Sequence, residues 1–485
     1  MRSIAAQRSG VEFDVLRGIS IIIGVGLGFV AAAFVDSTEN AAFASATLLA
    51  IAILVPIVIE MLTVSIDRLC APVNIIGMSI IYWILLDVIQ FLYELPVEKT
   101  VVVQVVVMSA VFQLSVIIGS VGNFRPIARA LTKIADITVT AGQLFGLMVV
   151  SWTAQMSFYL GKSDWNPGTL LSALTQGRGR LPWARGDLGD SVAAFEFLTY
   201  FGFLLPAMMA VFSRLSSGAK DWRFFCAACM ALSSVYCIGA DGSRRSVGSA
   251  LLAGICLFFL SDRRASLKLS VNSIRKLVGY GFLVSTLLVG LNLLLETRGA
   301  WEGSDFTGDR LFSGIYVDDN FLRMAQVLEA VPRYADYAGM QPIIFSIVTP
   351  IPRVLWEGKP ISPGFTIHEY LGYTAASLSM GLIAELYTCL GWFTVIAGGM
   401  IVGAIARVVD EMGFRVSSPG LCCLKAICLG WLFVSMRSMK DAVILSYPIV
   451  ALLILLAGIN IVTTVQNSTY SLLGSDFGEP DGVER

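Results

Sequence analysis

Long apolar runs recur along almost the whole chain, and they constrain the fold more than any other feature of the sequence. Each run is close in length to the roughly 20 residues that a helix needs to cross the hydrocarbon layer of a membrane. Only 14% of the residues are charged, against about 25% in an ordinary soluble domain. The sequence therefore predicts an all-α polytopic membrane protein.

The apolar runs predict 12 spans, at about 18–35, 41–66, 73–93, 100–122, 139–160, 191–213, 224–240, 246–261, 274–295, 377–406, 420–436 and 443–465. Lysine and arginine are more frequent in the connections that share a side with the N-terminus, and this bias predicts that both termini are inside. The large polar segment of about 296–376, between spans 9 and 10, is then outside. We expect one membrane domain over 1–465 and a disordered cytoplasmic tail over 466–485.

The large outer segment is predicted to contain amphipathic helices. Asp319 is a capping residue, apolar residues follow it at helical spacing, and Pro332 ends the pattern. The apolar stripe is expected to lie on the membrane surface or to pack on the bundle. A second helix is predicted from Thr366 to Tyr373. A helix N-cap explains the adjacent acids Asp318 and Asp319 better than a metal site does.

A proline-rich stretch within this outer segment, 349–364, reads TPIPRVLWEGKPISPG. Each proline fixes φ and lacks a backbone donor, so the stretch is predicted to be stiff and non-helical. It carries Arg353, Trp356 and Lys359 within a few residues. Because a guanidinium can contact phosphate oxygens through two parallel bonds, we expect an anionic ligand here. The alternative is a stiff loop whose cations face water.

Other cations also lie on the predicted outer side. Arg244 and Arg245 occupy a DGSRRS turn between two spans, where they would reach a lipid diphosphate at headgroup depth; the alternative is a pair of snorkelling anchors. Arg178 and Arg180 lie in a glycine-rich loop that would follow a glycan or its phosphate, although a solvated loop is the favoured interpretation. A further outer turn at 437–440 is also basic.

Two residues are candidates for a catalytic base. His368 is the only histidine, and its ordinary pKa suits proton transfer near neutrality. Glu385 lies within an apolar run, where a carboxylate is costly to bury and is therefore a functional candidate. A structural role is the alternative for both. Three more acids fall in apolar runs without a comparable polar context: Glu60, Asp87 and Glu196.

Three motifs together resemble the O-antigen and oligosaccharide repeat-unit polymerases (Wzy-type). They are the GSR turn at Gly242–Arg244, the P-R-x-L-W-x-x-K-P motif at Pro352–Pro360 with Gly364 after it, and G-L-I-A-E-L-Y-x-x-L-G at Gly381–Gly391. The resemblance implies a GT-C-like bundle of the polymerase and ligase type. It also implies a multi-pass glycosyltransferase of the bacterial inner membrane, which joins polyprenyl-diphosphate-linked oligosaccharide repeat units into a surface polysaccharide on the outer face.

The resemblance also implies roles for the candidate residues, with no cofactor and no metal. Fixed cations stabilise the diphosphate as the glycosidic bond breaks, and a base receives the proton of the acceptor hydroxyl. The cations would be Arg353, Lys359, Arg244 and Arg245, the base His368 or Glu385, and the sugar-stacking rings Trp356 and Tyr370. Expected partners are membrane lipid, a chain-length regulator and a flippase, and not nucleic acid.

Three alternative functions share parts of this pattern. An O-antigen ligase would have the same bundle, outer loop and arginines but would deliver glycan to a lipid A core. A flippase for lipid-linked oligosaccharides would place its charges along a central cavity and would not need an outer loop of this length. A scaffold without enzymatic activity would give no reason for a carboxylate at Glu385.

Overall fold

Helices account for every regular element in the part of the chain that the structure describes. This computed structural model describes residues 2–174, 195–216, 218–240, 244–260, 314–351, 353, 355–372, 378–413 and 418–476, together with the isolated positions 279, 286, 289 and 290. Within these ranges the prediction of an all-helical, polytopic membrane protein is confirmed.

We number the helices in chain order. The first ten are α1 Arg2–Ala33, α2 Thr38–Thr63, α3 Pro72–Ile89, α4 Lys99–Ser120, α5 Arg125–Ala135, α6 Ala141–Gly161, α7 Pro167–Leu174, α8 Phe197–Leu215, α9 Trp222–Ala240 and α10 Arg244–Leu260. The others are α11 Asn320–Ala330, α12 Gln341–Val348, α13 Ile367–Tyr370, α14 Leu382–Leu390, α15 Trp392–Glu411, α16 Pro419–Ser435, α17 Met439–Ile444 and α18 Tyr447–Asp476. Short 3-10 turns occupy Ile66–Cys70 and Gly218–Lys220.

Nine segments of the described chain are long and apolar enough to cross a membrane. They are Glu12–Ala33 of α1, all of α2, α3, α4, α6, α8, α9 and α15, and Met439–Ile461, which joins α17 to α18. Each corresponds to a predicted span, although several boundaries differ. The chain is therefore a multi-pass membrane protein by the length and composition of its helices.

The remaining three of the predicted spans have different outcomes. The eighth and eleventh are the helices α10 and α16, each of 17 residues. The ninth, 274–295, lies largely outside the described residues. Of the nine that do correspond, the tenth predicted span, 377–406, is wrong in its bounds, because Gly391 adopts a φ of 69° and separates the nine-residue α14 from α15. A positive φ suits glycine, which has no Cβ, and it ends the helix there.

Close backbone contact holds α15 against α4. A Cβ added at Gly403 would lie 2.0 Å from the carbonyl oxygen of Val116, and one at Gly399 would lie 2.8 Å from that of Phe112. Glycine at these two positions lets the helix backbones approach each other, as is common where helices associate in membranes. The contact places the start of α15 and the start of α4 at the same end of the bundle.

Helix α16 lies at the centre of the bundle. All of its residues are buried except Trp431 and Phe433, which are partly buried. It packs against α10, where a Cβ at Gly430 would lie 2.6 Å from the carbonyl oxygen of Ser249. The indole Nε1 of Trp83 on α3 donates to the Phe433 carbonyl at 2.9 Å. The turn that follows α16 is consequently held in a fixed position.

The described residues between 314 and 391 gather at one end of the bundle, which we call the loop end. The connections α3–α4 and α16–α17 and the start of α10 meet them there. The Gln90 side chain accepts the backbone N–H of Ile315 at 2.9 Å, and the Leu382 N–H donates to the Met436 carbonyl at 3.0 Å. This packing brings together residues that are far apart in the sequence.

The amphipathic helix predicted after Asp319 is found as α11. Phe321 and Met324 are fully buried, and α11 packs on α4 and α14, so the apolar stripe packs on the bundle. Of the second predicted helix, Thr366 to Tyr373, only the single turn α13 is helical among the described residues. The short helix α12 has no counterpart in the sequence prediction.

Candidate functional site

The two adjacent arginines at the start of α10 lie at the loop end and bind different partners. Arg244 donates to the carbonyl oxygens of Tyr316 and Val317 at 2.6 and 2.5 Å, with Asp318 at 3.9 Å. Arg245 forms an ion pair with Asp441 at 3.0 Å. The start of α10 therefore holds its two arginines against two distant parts of the chain.

A third arginine, Arg437 in the α16–α17 turn, connects these two partners. Its guanidinium donates to Asp318 at 2.5 Å and to Asp441 at 2.8 Å. We call this group the arginine cluster: Arg244, Arg245, Arg437, Asp318 and Asp441. Sequence reasoning noted a basic turn at 437–440 but assigned it no role, because only the folded chain shows which acids it meets.

The acid Asp318 therefore has a different role from the one predicted. It binds Arg437 and does not cap α11. Asp319 occupies the N-cap position, but its side chain forms an ion pair with Arg323 and accepts no capping bond. The N-cap explanation of these two side chains is wrong. Among the described residues, no group of three or more His, Cys, Asp or Glu side chains could hold a metal ion.

Asp87 supports the segment of chain that precedes α11. Its carboxylate is buried and accepts the backbone N–H groups of Val317 at 3.0 Å and Asp318 at 3.2 Å. A buried carboxylate with two such donors is satisfied, and it holds Asp318 in place beside Arg437. The interpretation that Asp87 lacks a polar context is wrong, and its role is to position the arginine cluster.

The interpretation that Glu60 lacks a polar context is also wrong. At the end of the bundle opposite the loop end, Glu60 forms ion pairs with Arg17 and, at 3.5 Å, with Arg68. The Asn74 amide donates to it at 3.0 Å. These partners come from neighbouring helices, and the sequence positions alone do not place them around one carboxylate.

Glu385 holds the turn that carries Arg437. Its carboxylate accepts the backbone N–H of Met439 at 2.5 Å, and the Ser379 hydroxyl donates to the Arg437 carbonyl at 2.9 Å. The structure places Glu385 in α14, outside the nine candidate spans of the described chain. The hydrogen bond is of the kind that the structural alternative expects, and a catalytic role for Glu385 stays a prediction.

In the proline-rich stretch, Lys359 folds back onto the chain. Its ammonium donates to the carbonyl oxygens of Thr349 at 2.6 Å and Ile351 at 2.9 Å. Burial, and secondly the charge of Arg353, lower the pKa of Lys359. Lys359 thus satisfies carbonyl oxygens at the end of α12, which is a structural use of its charge.

The other candidate residues near this stretch are more open. The side chain of Arg353 is partly buried and forms no hydrogen bond or ion pair with another described residue, while Trp356 is exposed. His368 is partly buried and Tyr370 exposed, both on the single turn α13, which packs on α11. Within the described chain, no hydrogen bond or ion pair joins these four side chains to the arginine cluster.

Two predicted residues, Arg178 and Arg180, lie outside the described residues. No family model matches the sequence, and no solved structure matches it. The chemistry of the site therefore has to be argued from the arginine cluster itself. Among the described residues, three guanidinium groups of this cluster pair with its two carboxylates. Such a group can bind an anion through charged hydrogen bonds.

Proposed function

We propose that this protein is a membrane glycosyltransferase that polymerises polyprenyl-diphosphate-linked oligosaccharide repeat units into a surface polysaccharide. The reaction would take place on the outer face of the bacterial inner membrane. The proposal draws on the resemblance carried by Gly242–Arg244, Pro352–Pro360 and Gly381–Gly391. The convergence of Arg244, Arg245 and Arg437 at one end of the bundle supports it.

The arginine cluster would bind the lipid diphosphate. Negative charge develops on this leaving group as the glycosidic bond breaks, and guanidinium groups already held in place stabilise it without reorganising. Asp318 accepts a hydrogen bond from Nε of Arg437, and Asp441 accepts one from Nη1. Because a guanidinium offers several N–H donors in one plane, a side chain fixed in this way can still donate to phosphate.

The acceptor sugar would be activated by a base from the same end of the bundle. His368 is our first candidate, since it is partly buried and stands in the single turn after the proline-rich stretch. It would take the proton of the acceptor hydroxyl as the oxygen bonds to the anomeric carbon and the diphosphate leaves. We assign Glu385 a positioning role through Met439, with catalysis by Glu385 as the second possibility.

The proposed topology has 12 spans in a GT-C-like bundle, both termini in the cytoplasm and the loop end outside. Charged residues at the loop end would then lie at the depth of the lipid headgroups, where the diphosphate of the carrier sits. Expected partners are a flippase, which supplies the carrier-linked repeat unit, and a chain-length regulator. Neither a cofactor nor a metal is part of the proposed reaction.

Replacing Arg437 with lysine tests the role of the arginine cluster. Lysine keeps the positive charge but cannot reproduce the planar donor pair. We expect surface glycan from the host bacterium to lose its polymer ladder on gels and to accumulate single repeat units. The matched control is Arg129→Lys, an exposed arginine of α5 at the opposite end of the bundle, which should keep the ladder.

Protein level and the thermal midpoint should be measured for both variants, so that loss of folding is not mistaken for loss of activity. A normal ladder from correctly folded Arg437→Lys protein would contradict the proposal. If long polymer is made but remains on its lipid carrier, the protein acts instead as the ligase that transfers finished glycan.

A further inference from the structure

Helix α12 is apolar on both of its sides, although it is too short to cross a membrane. Its sequence, QPIIFSIV, contains no charged residue. One side packs on α14 and α17 and buries Pro342 and Ser346. The other side is formed by Met340, Ile344, Ile347 and Ile351, which are between 36% and 61% exposed. A helix that is apolar all round is expected in contact with protein or lipid on every side.

The start of α12 lies close to the start of a membrane span. The Ala338 N–H donates to the Thr388 carbonyl at 2.8 Å, and the Gly339 N–H to the Cys389 carbonyl at 3.0 Å. These bonds attach the start of α12 to the last turn of α14, immediately before the span α15 begins. Phe393 and Ile396 on α15 are exposed apolar residues of a membrane span, so the hydrocarbon surface begins beside α12.

The chain after α12 also suits a membrane boundary. Lys359 donates to the carbonyl oxygens of Thr349 and Ile351. Leaving these oxygens without a hydrogen-bond donor away from water would cost free energy. Leu355 and Ile361 are each 76% exposed, more than any residue of the α12 face. Arg353 lies two positions before Leu355, and a cation next to exposed apolar side chains is found where one side of a segment meets lipid and the other meets water.

We propose that residues 340–351 and 355–361 form a membrane-interface anchor, whose apolar side chains insert between the headgroups and the acyl chains of the bilayer at the loop end. Arg353 lies at headgroup level in this arrangement, and Trp356 contacts lipid headgroups as interfacial tryptophans do. The occupant of the exposed face is thus phospholipid. This inference concerns membrane attachment alone and does not depend on the proposed glycan chemistry.

Spin labels at single cysteines test the anchor in purified protein in nanodiscs of phosphatidylethanolamine and phosphatidylglycerol. Only Cys226 and Cys229 are exposed among the nine native cysteines, and replacing both with serine leaves seven buried thiols. Labels would be placed by Ile347→Cys and Leu355→Cys. Ile396→Cys on α15 gives the lipid reference, and Asp336→Cys, an exposed acid near α12, gives the water reference.

Oxygen partitions into lipid and a neutral nickel chelate into water, so relaxation by the two reagents reports the surroundings of each label. We expect Ile347→Cys and Leu355→Cys to match Ile396→Cys, with greater access to oxygen than to nickel. A greater access to nickel, as at Asp336→Cys, would overturn the proposal. Low access to both reagents would also overturn it, because it would show that protein covers this face.

Discussion

Two groups of charged side chains lie at opposite ends of the bundle, and they are built differently. The far-end cluster consists of Asp14, Arg17, Glu60, Arg68 and Asn74, which come from the first three helices and the turn between the second and third. The arginine cluster at the loop end joins residues from three widely separated parts of the chain. The far-end cluster can form from consecutive helices, while the arginine cluster requires the whole bundle.

The two groups differ in how their charges are paired. In the far-end cluster, two arginines face two acids; the central pair Arg17 and Glu60 is 9% and 3% exposed, while Arg68 at the edge is 32% exposed. In the arginine cluster, three arginines face two acids, and Arg245 is 27% exposed and Arg437 18%. Equal numbers of arginines and acids around a buried pair are suited to stabilising the fold. A group with more arginines than acids is suited to binding an anion, so burial of charge alone does not identify a functional site.

The largest effect that this comparison predicts is the loss of stability in Glu60→Ala. Removing the carboxylate leaves the buried Arg17 guanidinium with less compensation, and breaking a buried ion pair typically costs about 3 to 5 kcal/mol. We expect a marked fall in the midpoint of unfolding by sodium dodecyl sulfate in detergent micelles. Glu94→Ala is the matched control, because Glu94 is exposed and forms no ion pair with a described residue.

The double variant Arg17→Met with Glu60→Met sharpens this test. Replacing both partners removes the two most buried charges, and apolar replacement of a buried pair is often close to neutral. Asp14 and Arg68 lose a partner but are 17% and 32% exposed, so water can still solvate them. We therefore expect the double variant to be more stable than Glu60→Ala. If Glu60→Ala is as stable as Glu94→Ala, the far-end cluster does not stabilise the fold.

A smaller effect is expected at the loop end, where a substitution should lower activity and leave stability unchanged. The Arg353 side chain is partly buried and makes no hydrogen bond or ion pair with another described residue, so its removal should leave the unfolding midpoint unchanged. If it binds diphosphate, Arg353→Ala loses a charged hydrogen bond worth about 1.5 to 3 kcal/mol. Transfer should then fall by about ten- to a hundredfold, measured as polymer formed at equal protein level.

The lysine variant separates the two interpretations of Arg353. Because lysine cannot offer two parallel donors, Arg353→Lys should also be impaired if the guanidinium binds phosphate. A solvated loop predicts nearly normal polymer from both variants. Full-length polymer from Arg353→Ala would show that Arg353 does not bind diphosphate and would leave the anchor proposal unaffected.

Much of the fold could be predicted from the sequence because apolar runs of spanning length carry a local signal. The length and hydropathy of an apolar run do not show where a single residue ends a helix. Gly391 adopts a φ of 69° and divides the predicted tenth span, and nothing in the hydropathy of that run shows it. Helix α12 was missed because its apolar sequence is short and lies inside a segment that reads as a polar loop.

The site was predictable only in part, because charge pairing is a tertiary property. The sequence drew attention to Arg244 and Arg245 through their position in a turn between spans. It did not show that Arg437 meets Asp318 across 119 positions of the chain. The same limit applies to Lys359, whose charge suggested a phosphate ligand but whose ammonium bonds to two carbonyl oxygens.

The smallest effect is expected from Lys359→Met, and it tests whether a cation of the loop end outside the arginine cluster acts on substrate. Methionine keeps much of the side-chain length but cannot donate to the carbonyl oxygens of Thr349 and Ile351, and each lost hydrogen bond is worth about 0.5 to 1.5 kcal/mol. Because this loss is local, amide hydrogen exchange over 349–361 should become faster while the global unfolding midpoint changes little. The matched control is Lys220→Met, an exposed lysine at the opposite end. If Lys359→Met abolishes polymer and leaves exchange unchanged, Lys359 acts on substrate, and the loop end contains a second binding cation beyond the arginine cluster.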